Sequence, residues 1–327
     1  MKKQTILIRS PNWVGDAVVS TSILKPLREV FLNDRIFVVA RKYVSSIFTN
    51  NPFIDGIIAF NGFNDGMKKI KGDIGLILPN SFSSALLFAA SRVKRRIGYS
   101  CELRSFLLSD VLPPVALRSE HLLENYKRIA LRIINNGIPD EFHPGLFLSE
   151  SERVNDIFAE WHNSVQDKPV IIDPGSSYGK AKVWQVEKYA ALIDYLMEQR
   201  KQLVIVLGSL KSIALVHDIV SLTMQKPIVL TGKFSLRESM CAIARCKLFI
   251  SPDTGGMHIA AAFGVSQIAI FGSSSPVWTR PLNSRSRVIC KSLSCSPCFK
   301  RECPLGTYEC LRSITVEDTI EKVEELL

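Results

Sequence analysis

The sequence predicts an α/β protein of two doubly wound halves, each a mostly parallel sheet covered by helices on both faces. Its 327 residues exceed what most single cores use and suit two units of about 150 residues each. Short β-branched runs alternate with helical segments along the whole chain, the pattern of strand–helix–strand units. Successive strand positions are apolar instead of alternating, as parallel strands buried on both faces require.

In the first half the strands are expected at Thr5 to Arg9, Ile36 to Ala40, Gly56 to Phe60 and Ile74 to Leu78, with helices over Val18 to Phe31 and His121 to Asn135. Turn formers crowd Gly137-Ile138-Pro139-Asp140 and His143-Pro144-Gly145, after which a helical pattern resumes over Ser149 to Trp161. The division is therefore placed near residue 160, giving units 1–160 and 161–327. Strands of the second half are expected at Val170 to Asp173, Leu203 to Leu207, Ile228 to Leu230, Leu248 to Ser251 and Gln267 to Phe271. The last segment, Thr315 to Leu327, opens with a Thr and acidic start signal and carries Val316, Ile320, Val323 and Leu327 on one face, so it reads as a docked amphipathic helix.

A hydrophobic fraction of 46% with 22% charged residues is that of an ordinary folded protein and argues against disorder. The 41 basic and 31 acidic residues leave a net charge of +10, which favours polyanions: nucleic acid, an anionic membrane surface or a phosphorylated glycolipid. The opening Met1-Lys2-Lys3 resembles the start of a signal peptide, but Arg9 interrupts the apolar run and no small-residue cleavage site follows. A first strand and a cytoplasmic location are expected. Two uncharged stretches, Ile74 to Ser91 and Thr254 to Thr279 (the latter interrupted only by His258), are broken by Pro79-Asn80 and by Gly264, Gly272 and Pro276, so they read as buried strand and helix pairs.

Asp16 follows the first strand in Pro11-Asn12-Trp13-Val14-Gly15-Asp16, at the carboxyl end where open α/β sheets place ligands. It can cap the following helix, where free amides and the helix dipole favour a carboxylate. It can also take a proton from an acceptor hydroxyl, and both roles can coexist. In the second half Asp173-Pro174-Gly175-Ser176-Ser177 leads to Lys180 and Lys182. A Gly/Ser loop brings amides close to a phosphate, and a nearby lysine neutralises charge on a departing diphosphate. The sharpest constellation is Asp253-Thr254-Gly255-Gly256-Met257-His258 at a strand-to-helix turn, where glycines expose the free helix amides and Thr254 and His258 add donors. Asp253 would repel a phosphate, so it is assigned to capping the loop or to a sugar hydroxyl. Gly208-Ser209 is a further ligand loop.

No GxGxxG follows the first strand and no GxxxxGK[ST] occurs anywhere, which disfavours dinucleotide oxidoreductases and P-loop ATPases. Cys295, Cys298, Cys303 and Cys310 cluster within sixteen residues; structural zinc, reduced thiols and disulfides all remain open for them. Cys101, Cys241, Cys246 and Cys290 read as scattered core residues. The basic run Arg92-Val93-Lys94-Arg95-Arg96, with Arg104, is either a solvated edge or a contact for acceptor phosphates or nucleic acid. No nucleic-acid-binding motif accompanies it, so no nucleic-acid partner is expected.

Taken in order, Pro11 to Asp16, Leu78-Pro79-Asn80-Ser81-Phe82 with Ser84-Ala85-Leu86, Arg96-Ile97-Gly98-Tyr99, Pro174-Gly175 with Ala181-Lys182 and Trp184, Asp253-Thr254-Gly255 with His258, and the cysteine-rich tail resemble the ADP-heptose:lipopolysaccharide heptosyltransferases, most closely the heptosyltransferase II branch. The resemblance spans nearly the whole chain. It implies a GT-B architecture, two Rossmann-like domains facing across a cleft, with the acceptor on the first and ADP-heptose on the second. The implied reaction is an inverting transfer of L-glycero-D-manno-heptose to the heptose/Kdo inner core, needing no metal and no cofactor. Asp16 matches the family's base and Lys182 its phosphate-neutralising lysine. Ser176, Lys180, Ser209, Asp253, Thr254, Gly255, Gly256 and His258 fall to the donor side, and Asn80 and Ser81 to a loop of the acceptor half. The implied acceptor is lipid A-Kdo-heptose, met at the cytoplasmic face of the inner membrane.

Three departures stand out. Gln185 replaces the usual proline after the tryptophan, Lys180 offers a second lysine, and no acidic residue for the donor ribose is evident around Gly208-Ser209. The alternatives are a transferase of the same fold using another nucleotide sugar, and a non-enzymatic polyanion-binding protein.

Overall fold

The computed structural model describes residues 3–116, 118–134, 141–154 and 168–327. The expected turn at Gly137-Ile138-Pro139-Asp140, the end of the His121 to Asn135 helix, most of the Ser149 to Trp161 helix and the division near residue 160 lie outside the described residues. Contacts group the chain into Met1–Leu148 and Ser149–Leu327. The physical reason for a division there is a fastening at Ser149. Its Oγ accepts from the Glu152 amide at 3.2 Å, and the Glu152 carboxylate takes both arms of the Arg237 guanidinium at 2.7 Å, tying the segment to the second unit. That fork is also what lowers the Glu152 carboxyl to about 2.

The first unit holds β1 (Thr5–Arg9), β2 (Arg35–Arg41), β3 (Gly56–Phe60), β4 (Ile74–Ile77), β5 (Arg95–Tyr99) and β6 (Asp110–Leu112) in one sheet of order β3-β2-β1-β4-β5-β6. Every pairing is parallel. The second unit repeats this plan with β7 (Val170–Ile172), β8 (Val204–Val206), β9 (Ile228–Val229), β10 (Leu248–Pro252), β11 (Ser266–Phe271) and β12 (Ser286–Cys290), in the order β12-β11-β10-β7-β8-β9. All its pairings are parallel as well. In each sheet the winding reverses beside the first strand, between β1 and β4 and between β7 and β10. Crossovers leave to opposite faces at such a point, so the loops at the carboxyl ends part and leave room for a ligand.

Nine of the twelve strands among the described residues coincide with apolar runs expected from the sequence. β5, β6 and β12 were not among them. β5 begins inside the basic run: Arg95 is balanced by Asp110 at 2.8 Å, and Arg96 donates to the carbonyls of Leu107 and Val93 at 2.6 Å each. Arg104 is fully buried. These three guanidiniums thus have partners within the fold, whereas Arg92 and Lys94 of the same run are exposed, as a solvated edge would be. β6 is only three residues long, and β12 is an edge strand carrying Arg287.

The expected helix over Val18 to Phe31 is two helices, Val14–Ser20 and Leu24–Val30, joined by a tight turn at Thr21–Ile23. The hydroxyls of Ser20 and Thr21 bond back to the carbonyls of Ala17 and Val18 at 2.7 Å, and Pro26 removes the next amide donor, so the chain tightens between them. The terminal helix Val316–Glu324 forms behind a Thr315–Asp318 capping box, with Val323 fully buried and Val316, Ile320 and Leu327 packed on the second core. That core includes Trp184, whose indole donates to the Ile314 carbonyl at 3.1 Å and stacks edge-on against Tyr189.

The two uncharged stretches resolve into β4 with helix Phe82–Ala90, and helix Gly255–Ala262 with β11. No helix among the described residues is long and apolar enough to cross a membrane. All eight cysteines are free. Cys241 and Cys246 are buried and Cys101 half-buried, whereas Cys290, expected in the core, is exposed because it ends the edge strand.

Candidate functional site

Each switch point carries one cluster of the residues singled out from the sequence. In the second unit β7 and β10 pair with Ile172 opposite Ile250, so the loops after them emerge side by side. From β7 comes Asp173 to Gly179, then a single turn at Lys180–Lys182; from β10 comes Asp253, then helix Gly255–Ala262 with Thr254 at its N-cap. Lys182 bridges the two loops. Its Nζ lies 2.5 Å from Asp253 Oδ2 and 3.2 Å from the Asp253 carbonyl, and 4.9 Å from the centre of the Tyr178 ring. Both side chains are largely buried, 14% exposed for Lys182 and 4% for Asp253.

Asp253 Oδ2 accepts from Lys182 Nζ, and Thr254 instead of Asp253 stands at the N-cap of the following helix. Of the two lysines, Lys182 points into the cluster and Lys180 is exposed. Ser209 is exposed at the end of β8, and Ser176 accepts from the Tyr178 amide at 3.2 Å, shaping its own loop. His258 is buried on the first turns of its helix.

Small residues are required where these loops meet. A Cβ on Gly175 would fall 2.1 Å from Ser212 Oγ, and one on Gly256 would fall 2.8 Å from the Phe249 ring and 3.4 Å from Asp173 Oδ2. Gly255 and Gly256 add no side chains of their own at the N-terminus of this helix, which suits an anion. Thr254 Oγ1, Ser273 Oγ and Ser274 Oγ are buried with no hydrogen-bond partner in the protein. Ser273 also donates its amide to the Ala181 carbonyl, next to Lys182. Buried hydroxyls without partners are costly, so these three, at the carboxyl ends of the adjacent strands β10 and β11, are available to a polar ligand.

Asp173, which the sequence presents only as one residue of a Gly/Ser loop, is the most perturbed acid of this edge. Burial pushes its carboxyl up to about 6 despite one hydrogen bond from the Gly175 amide. The legible signal was a carboxylate directly after an apolar central strand. Ser273 and Ser274 had a weaker one, a serine run after a strand.

In the first unit β1 and β4 pair with Arg9 opposite Ile77, which sets the Asp16 loop beside the Asn80–Ser81 loop. Asp16 sits in the first turn of helix Val14–Ser20, whose N-cap is Trp13, so it is a first-turn carboxylate and not the cap itself. It is half-buried and close enough to the buried Tyr126 to help raise that phenol's ionisation, behind burial itself. Arg9 anchors this loop from beneath. It donates to Asn12 Oδ1 at 2.8 Å, stacks on Phe60, and is lowered to about 10 by burial and then by Arg41.

Arg104 anchors the other loop. It donates to the Tyr99 carbonyl at 2.9 Å, to those of Pro79 and Ser81, and to Asn80 Oδ1 at 3.4 Å. Asn80 itself is exposed and Ser81 half-buried.

The comparisons with known proteins agree with one another. The family description glycosyltransferase family 9 (heptosyltransferase) matches residues 65–309. Lipopolysaccharide heptosyltransferase 2 of Salmonella typhimurium is 27% identical, over 98% of this chain and 98% of its own length. Among solved structures, the ADP-heptose lps heptosyltransferase II of Escherichia coli superposes with a TM-score of 0.85 at 27% identity, covering 98% of each chain. A glycosyl transferase family 9 protein of Veillonella parvula shares the fold with a TM-score of 0.87 at 22% identity, over 100% of this chain and 98% of that one.

Proposed function

From the premise that the chain belongs to glycosyltransferase family 9, the heptosyltransferases, and is a glycosyltransferase, we propose that it moves a heptose from ADP-heptose to the inner core of lipopolysaccharide. The observation that carries the donor side is the Lys182–Asp253 pair beside the N-terminus of helix Gly255–Ala262. A diphosphate there meets a lysine already desolvated and a helix N-terminus, both of which favour negative charge. Thr254, Ser273 and Ser274 supply hydroxyls that lack protein partners. The donor's identity as an ADP-sugar is supported by the curated and structural relatives at 27% identity.

In the reaction the acceptor hydroxyl gives its proton to Asp16 as its oxygen bonds to the anomeric carbon. The bond from that carbon to the diphosphate breaks in the same step, its electron pair leaving with the phosphate oxygen. Lys182 neutralises the charge that grows there, and the configuration inverts because attack and departure are on opposite faces. Asn80 and Ser81, held by Arg104, are assigned to acceptor contacts.

The acceptor is assigned to a membrane surface and the first unit to meeting it. Residues 1–148 carry 20 basic against 12 acidic residues, a balance of +8, while residues 149–327 carry 21 against 19. Leu103 and Phe106, 92% and 74% exposed, stand on the loop that Arg104 ties to Asn80 and Ser81.

The test is ADP release from ADP-heptose with a core acceptor lacking the terminal heptose. Asp16→Asn should lower kcat by about 10²–10⁴ while ADP still raises the melting temperature as in the wild type. Unchanged turnover in that variant removes Asp16 from its role, and a preference for UDP over ADP in the thermal shift overturns the donor assignment.

A further inference from the structure

The segment 291–308 joins β12 to the short helix Glu309–Arg312 with no strand or helix of its own. Structureless connections of that length are uncommon inside compact units, and those that persist are functional or fastened by something else. This one brings Cys295, Cys298 and Cys303, together with Cys310 of the helix, to the lining of a single pocket. All four are free thiols. Their spacing is Cys-x2-Cys-x4-Cys-x6-Cys.

We propose that these four thiols form a structural site for a thiolate-preferring divalent metal ion, zinc or ferrous iron, that fastens the loop against the Lys182 turn. Four cysteines are a complete donor set for either ion. The backbone around them is already folded as such a site needs. The chain reverses through left-handed residues after each of the inner cysteines, at Phe299 (φ 54°) following Cys298 and at Gly306 (φ 68°) and Tyr308 (φ 52°) following Cys303. Phe299 and Tyr308 carry side chains, and non-glycine residues hold that conformation only where their surroundings enforce it. The second reversal aims the Tyr308 amide at Cys303 Sγ, 3.4 Å away. An N–H donated to sulfur is strongest when the sulfur is a thiolate, the form that binds metal. Among the described residues no three His, Cys, Asp or Glu side chains are already set around one point, so binding draws the thiols together by rotation within the pocket they share.

What the site would stabilise is visible in the contacts of the loop. Arg301 accepts from the Ala181 amide at 3.0 Å, and Phe299 donates its amide to Ser273 at 2.7 Å. The Tyr178 hydroxyl donates to the Phe299 carbonyl at 2.6 Å, and Ser296 Oγ donates to Gly272 at 2.7 Å. A Cβ on Gly179 would lie 2.3 Å from the Arg301 carbonyl oxygen, so the two loops touch backbone to backbone. The cysteine loop thus forms one wall of the donor cluster, a consequence that rests on the donor reading above, whereas the metal site itself does not.

Elemental analysis of full-length protein, purified under reducing conditions without a metal-chelating resin, tests the proposal and separates zinc from iron. About one equivalent of one of them per chain is expected, with the four thiols resisting a thiol reagent until a chelator is added. The double variant Cys298→Ser, Cys303→Ser should lose metal about tenfold or more. Should it fail to fold, the metal content of the wild type alone decides. A metal-free chain whose four thiols react at once, or one in which mass mapping finds them joined as two disulfides, overturns the proposal.

Discussion

Lys182 Nζ and Asp253 Oδ2 stand 2.5 Å apart in a nearly solvent-free setting, joining the loop after β7 to the loop after β10. A pair of this kind is fragile to the loss of either partner alone, because the survivor is left charged and unsolvated. Lys182→Ala is expected to cost about 3–5 kcal/mol of stability and to lower kcat/KM by about 10²–10³. Replacing both residues, Lys182→Met with Asp253→Leu, should recover most of the stability and none of the activity. Chemical denaturation beside the ADP-release assay separates the two effects; activity in the double variant would show that the lysine charge is dispensable.

Asp173 gives the second unit a pH dependence of definite sign. Its carboxyl is raised to about 6 from an ordinary 3.8, so between those values the folded chain holds a proton that the unfolded chain has released. Stability therefore falls as pH rises from about 4 through 6, by on the order of 2–3 kcal/mol, and stays reduced above that window. Asp173→Asn should flatten this part of the profile and raise the melting temperature at pH 7.5. A profile of the variant parallel to that of the wild type would place the effect elsewhere.

Arg104 is a buried cation whose partners are backbone carbonyls and one side-chain amide. Arg104→Ala leaves those carbonyls without donors and opens a cavity, and is expected to cost about 3 kcal/mol or more. Arg104→Lys keeps the charge but cannot fork to several acceptors, so it should raise KM for the acceptor more than it lowers stability. Steady-state kinetics with acceptor varied at saturating donor reads this directly; an unchanged KM would show that Asn80 and Ser81 hold their place without the guanidinium.

Leu103 and Phe106 carry the proposed contact with a membrane. The double variant Leu103→Asp, Phe106→Asp is expected to reduce co-sedimentation with vesicles containing anionic lipid by about tenfold, leaving turnover of a water-soluble acceptor fragment unchanged. Equal sedimentation of both forms would move the contact to another surface.

Most of the fold was written locally. The strands β1 to β4 and β7 to β11 are apolar, β-branched and bounded by turn residues, and Thr315 with Asp318 marks the start of the last helix, signals that need no knowledge of distant partners. β5 was hidden because Arg95 and Arg96 look like surface residues until Asp110 and the carbonyls of Val93 and Leu107 are brought to them. Cys290 looked like a core residue until β12 proved to be an edge strand.

The same division holds at the site. The sequence by itself determined two parallel sheets and the candidates Asp16, Lys182 and Asp253 to His258, because glycine, charge and strand-end position are local properties. Only the tertiary structure decided that Lys182 and not Lys180 enters the cluster, that Asp253 is its partner across 71 positions of chain, and that Asp173 is a half-buried acid with a raised pKa. Those are facts of desolvation and of long-range pairing, set by which strands lie side by side in the sheet, and no spacing along the chain encodes them.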